Sequence, residues 1–171
     1  ADNTGVGSLA LYLNTTGTLN AAFGIKALQS NTTGSNNTAC GAKALEVNTT
    51  GTQNVAIGSE ALKANTTADY NTAIGRSALK VNTTGEYNTA IGGLALFDST
   101  TASNNVAIGY TALYENTTGD SNIGIGFQAL LNNTTGQDNV AVGSSALDSN
   151  TSGAGNTVIG FGAGTDITTG E

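Results

Sequence analysis

An asparagine stands at every seventeenth position of this chain: Asn3, Asn20, Asn37, Asn54, Asn71, Asn88, Asn105, Asn122, Asn139 and Asn156. The ten copies run on without insertion or deletion. A period held so strictly places each copy in an equivalent position of a stack, where a copy covers its apolar side only with its neighbours. The repeat therefore constrains shape strongly. It leaves no segment outside itself to carry separate chemistry.

Counted from its asparagine as slot 1, the unit reads N-[TVAI]-A-[IV]-G-x-x-A-L-x-x-N-T-T-G-x-x. Its first half, as in Asn71-Thr72-Ala73-Ile74-Gly75, spaces β-branched residues two apart, the period of a strand. Thr72 and Ile74 are expected on one face and Ala73 on the other. Glycine fills slot 5 in all ten copies, from Gly7 to Gly160, and marks a corner where φ is positive or the backbone is crowded. Ala78-Leu79-Lys80-Val81 is expected to form a second strand, its Leu row forming the wall opposite the Ile row. Asn82-Thr83-Thr84-Gly85 supplies the second corner, with side chains that bond their own backbone and a glycine free to turn. Variable pairs such as Arg76-Ser77 and Glu86-Tyr87 are expected in solvent. A helix over the seven residues from Gly75 to Val81 falls short of an ordinary helical length.

The expected fold is all-β: a parallel β-solenoid, or β-roll, of ten 17-residue coils starting near Asn3, with residues 1–171 as one domain. At about 4.8 Å per coil the rod is about 48 Å long. Identical amides then stack along it and hydrogen-bond from coil to coil. One Ile and one Leu per seventeen residues make a thin core, so the Ala73 and Ala78 rows are read as a strip that packs on a neighbouring rod. Lateral association follows. The opening Ala1, in place of Met, and the matching phase of both ends lead to the expectation of a segment cut from a longer fibre.

Composition narrows the function. The chain has 24 Gly, no His, Pro, Trp or Met, and one cysteine. Cys40 occupies slot 4, where other copies carry Ile, Val or Phe, and reads as a small buried hydrophobe. Without a His or second Cys it has no catalytic or metal-binding partner. The net charge is -7, and no base follows Lys80, so a phosphate backbone would be repelled. No nucleic-acid partner is expected on that ground. No apolar run approaches the eighteen or so residues of a membrane span.

Apparent motifs dissolve into the repeat. Gly5-Val6-Gly7-Ser8-Leu9-Ala10 and Gly124-Ile125-Gly126-Phe127-Gln128-Ala129 fit a dinucleotide fingerprint on paper, yet each is the ordinary unit with Gly in slot 3 and opens no crossover helix. Ser77-Ala78-Leu79-Lys80 fits S-x-x-K, but Ser77 and Lys80 sit in variable slots without companion motifs. The acids are scattered singly, and the Gly-Gly-x-Gly-x-Asp pattern of calcium rolls is absent. No catalytic, cofactor-binding or metal-ligating residue is assigned, and no enzyme activity is expected.

The Asn-Thr-Thr rows admit three readings. Asn14, Asn31, Asn48, Asn65, Asn82, Asn116, Asn133 and Asn150 each open an N-x-[ST] acceptor and are candidate glycosylation sites. The same residues also serve simply to make the corner. A third possibility is an outward array of Asn82-like and Thr84-like residues that binds ice.

Copies such as Asn71 to Leu79, Asn88 to Leu96 and Asn105 to Leu113 resemble the head repeats of trimeric autotransporter adhesins. They are also similar to Asn-Thr-Thr-Gly arrays in phage tail fibres and bacterial surface proteins. The resemblance covers all ten copies, with a longer coil and an added Asn-Thr-Thr-Gly turn here. It implies a left-handed parallel β-roll, three chains side by side, and an extracellular, cell-surface or virion-fibre location. Function is thus expected to be structural: a fibre or adhesin shaft assembling laterally or end to end, with other copies of itself as partners and a host surface or glycan as a further one. An ice-binding solenoid is the alternative.

Overall fold

The computed structural model describes residues 2–170. It is an all-β parallel solenoid with one short strand per coil: β1 (Thr4–Val6), β2 (Ala21–Phe23), β3 (Thr38–Cys40), β4 (Val55–Ile57), β5 (Thr72–Ile74), β6 (Thr89–Ile91), β7 (Val106–Ile108), β8 (Ile123–Ile125), β9 (Val140–Val142) and β10 (Thr157–Ile159). They form a single ten-stranded sheet in chain order. Each pairs with the next in parallel at an offset of one repeat, as Thr72 with Thr89 and Ile74 with Ile91. Columns of equivalent residues therefore run the length of the rod.

The expected second strand does not form. From Gly75 onward the chain alternates hand, with φ of 57° at Ser77 and 52° at Leu79, and the same two slots are positive in every other coil. The reason lies in the adjacent Ala78 and Leu79, which are both completely buried. A strand sends neighbours to opposite faces, so it cannot put both inside. The alternating backbone does so and still reaches the adjacent coils, Leu79 N–H donating to Ala95 O (2.9 Å) and Ser77 N–H to Ser59 O (2.9 Å). Left-handed L-residues cost about 1 kcal/mol each. The bonds to the coils on either side hold them there.

Slot 5 shows why only glycine fits. Gly75 has φ of 138°, and a Cβ there would lie 2.5 Å from the carbonyl oxygen of Gly92 in the next coil. Slot 15 is crowded in the same direction, yet it keeps an ordinary φ and accepts Ala68 and Ala102.

The core corrects the expected orientation of the strand. Ala73 and its equivalents point inward and are fully buried, whereas Thr72 and Ile74 point out. The common interior layer holds two alanines, one leucine and two asparagines, as in Ala73, Ala78, Leu79, Asn71 and Asn82. A coil of seventeen residues is too narrow to close over an isoleucine as well as a leucine. The Ala rows, read as an outward packing strip, are therefore the inside of the rod.

Two amide ladders complete the interior. In slot 1, Asn71 Oδ1 accepts from Asn88 N–H (3.0 Å) and Asn88 Nδ2 (3.1 Å), while Asn71 Nδ2 donates to Gly85 O (2.8 Å). In slot 12, Asn48 Nδ2 donates to Asn31 Oδ1 (2.8 Å) and to Gly51 O (3.0 Å). Slot 13 adds hydroxyls, Thr32 Oγ1 donating to Thr49 O (3.0 Å). Buried polar atoms are tolerated only when partnered. Here each coil partners the next.

Candidate interaction surface

The outward side of the sheet consists of slots 2 and 4, two columns of mainly Thr, Val and Ile ten residues long. None of the twenty is charged. The slot 4 column is substantially open, with Ile57 at 39% and Ile108 at 36% exposure in mid-rod. Cys40 belongs to it and is exposed, a correction to its expected burial. The reason is the same narrow coil: slot 4 faces away from the core. Two further columns flank the strand, slot 17 before it and slot 6 beyond the glycine corner. Tyr70 and Tyr87 stack in the first at 4.9 Å between ring centroids, and Tyr110 and Phe127 in the second at 6.1 Å. All four are exposed.

Charge is displaced to other sides. Slots 7 and 10 carry a chain of ion pairs from coil to coil: Lys26 with Glu46 (3.5 Å), Glu46 with Lys63 (3.8 Å), Lys63 with Glu60 (3.3 Å) and Glu60 with Lys80 (2.9 Å). Lys80 then lies 5.6 Å above the Phe97 ring, which stacks on Tyr114. The hydrogen bond from Lys80 holds the Glu60 carboxyl below the usual range, against the opposing effect of desolvation. Desolvation alone raises Asp98.

The candidate glycosylation residues lie in the ladder. Asn31, Asn48, Asn65, Asn82, Asn116, Asn133 and Asn150 are completely buried, and each Nδ2 donates to the slot 15 carbonyl three residues on. Asn14, in the first coil, is half-buried with its Nδ2 on Gly17 O (3.0 Å). In the folded rod seven of these eight amides are enclosed within the ladder, and all eight bond the corner as the corner-making reading expects. The same burial removes the Asn82 half of the Asn82–Thr84 array, leaving Thr84 exposed beside the inward amide.

Among the described residues there is no pocket and no group of three His, Cys, Asp or Glu side chains placed to hold a metal ion. No helix is long and apolar enough to cross a membrane. The sheet face is the feature best suited to contact. Sequence reasoning missed it by assigning its β-branched columns to the interior. One signal was present: slot 4 accepts Phe23, Cys40, Val142 and Ile74 alike, a size range that a close-packed interior would not absorb. Comparisons with protein-family models, curated proteins and solved structures gave no match.

Proposed function

We propose that this chain is a structural rod, a segment of an extracellular fibre or adhesin shaft on a cell or virion surface, and that it works by lateral association through its sheet face. The uncharged, β-branched stripe along the full rod supports this reading. Contiguous exposed apolar surface of more than a few hundred Å² is characteristic of interaction sites. The absence of histidine and the scattered acids support a role without catalysis. The partner is another copy, because the stripe offers a second rod ten equivalent rungs in register. The resemblance to adhesin heads and fibre arrays agrees with this use.

The test is sedimentation velocity with Ile74→Glu and Ile108→Glu, both on the exposed column. Association of the parent chain at micromolar concentration, lost in both variants with unchanged circular dichroism, is expected. Thr84→Glu, away from the sheet, should leave association intact. A parent chain that stays monomeric at hundreds of micromolar would refute the proposal.

A further inference from the structure

Building on lateral association, we infer that two rods pair face to face with their axes antiparallel, about a two-fold axis between β5 and β6, so that the sheet face is a homophilic docking surface. A two-fold axis along the strand direction reverses the rod and keeps each column opposite itself. Slot 4 then faces slot 4 and slot 6 faces slot 6, with the fifth coil opposite the sixth. Ile74 lies across from Ile91, and Thr72 from Thr89.

Charge selects this direction. Residues 1–87 hold five bases and five acids, whereas residues 88–171 hold seven acids and no base. Parallel rods set the acidic halves side by side. Antiparallel rods set each acidic half beside a neutral one, and no charge enters either central column.

Size selects the register. In the flanking slot 6 column, large and small residues exchange places across the axis: Phe127 faces Ala42, Tyr110 faces Ser59, and Arg76 faces Gly93. Phe161 and Ile25 likewise face Ser8 and Ser144. Shifting one coil either way sets Ile25 against Phe127 or Phe161. In slot 17, whose residues stand just before the strands, Tyr70 lies across from Tyr87 and Gln53 across from Asn104. A face about 48 Å long and about 12 Å wide covers about 1,100 Å² over the two rods, at the lower bound of about 1,000 Å² for a specific interface. Rods growing from one base lie parallel. Antiparallel pairing joins rods that arrive from opposing surfaces, which is the geometry of self-adhesion.

Cys40 is the only thiol and sits in the docked column, which makes orientation directly measurable. In the antiparallel pair it lies opposite Ile125, and the two copies of Cys40 are five rungs, about 24 Å, apart. A bis-maleimide shorter than that gap should leave the parent chain uncrosslinked and should covalently join dimers of Ile125→Cys. Ile125→Cys combined with Cys40→Ser should again fail to crosslink. Gly93→Phe, opposite Arg76, should weaken association at least tenfold. Efficient crosslinking of the parent chain through Cys40 would overturn the antiparallel arrangement while leaving lateral association standing. Dimers by sedimentation with no crosslink in Ile125→Cys would also overturn it. A monomer in sedimentation would overturn both.

Discussion

Ser99 interrupts the inner amide ladder, and repairing it should stabilise the rod. It fills slot 12, where eight other copies have asparagine; it is fully buried, and its hydroxyl oxygen has no hydrogen-bond partner. Across the gap, Asn116 Nδ2 donates only to Gly119 O (2.9 Å). In Ser99→Asn the new amide would donate to Ala102 O and Asn82 Oδ1 and accept from Asn116 Nδ2. Room for it is shown one stretch earlier, where Asn65 donates to Asn48 Oδ1 (2.8 Å) and Ala68 O (3.1 Å) with the same alanine in slot 15. Three hydrogen bonds at about 1 kcal/mol net each, less under about 1 kcal/mol of side-chain entropy, give a gain of about 2 to 3 kcal/mol. For a chain of this size that corresponds to a melting temperature higher by about 4 to 12 °C. Ser99→Ala removes the unpartnered hydroxyl without joining the ladder, and should fall between neutral and about 1 kcal/mol stabilising. Guanidinium and thermal denaturation followed by circular dichroism would rank the three. The ladder argument is refuted if Ser99→Asn is no more stable than Ser99→Ala.

The two glycine slots should separate. A Cβ at either meets a carbonyl of the next coil, but Gly75→Ala adds a forbidden φ and should cost at least about 3 kcal/mol, whereas Gly85→Ala should cost less, because slot 15 keeps an ordinary φ and already accommodates alanine in two coils. Thr111 is β-branched at φ 53°, so Thr111→Asn should raise stability by about 0.5 to 1 kcal/mol in denaturant titrations. The lowered folded-state value of Glu60 contributes stability above its unfolded value that disappears as pH falls through the folded one. Glu60→Gln should therefore be less stable than the parent at pH 7, with the gap closing in acid and shrinking in salt. Asp98 has the opposite sign, its raised value making folding more favourable as pH falls toward the unfolded range; Asp98→Asn should be more stable than the parent at pH 7 and lose that advantage in acid.

The seventeen-residue period made the solenoid, its parallel sheet and the stacked amides of slot 1 legible in the sequence. The inside and outside of the coil were harder to read. Alternation in Thr72-Ala73-Ile74 shows that neighbours take opposite faces, but not which face is enclosed. The width of the coil decides that. Hydropathy favours burying Ile74, and a coil this narrow favours Ala73. Ala78-Leu79 misled for a related reason: two apolar neighbours suggest a strand, but burying both requires the alternating left-handed backbone that no propensity of leucine or serine announces. Slot 12 had the third difficulty. An exposed Asn-Thr-Thr-Gly corner and one whose asparagine folds inward have identical sequences, and only the carbonyl of Gly85, waiting three residues on, distinguishes them.

These reversals share a consequence for function. Because Ala, Leu and Asn already fill the narrow interior in nearly every coil, the β-branched residues that make slot 2 and slot 4 good strand positions stand outside. The apolar stripe is thus built into the fold at every coil and lengthens with each repeat. Each added rung contributes the same increment of contact, while the loss of rigid-body freedom on association is incurred once. On the proposed lateral association, repetition would turn a weak contact at each coil into one that reaches the size of a specific interface once the flanking slot 17 and slot 6 columns are included. A single coil presents the same side chains and would hold nothing.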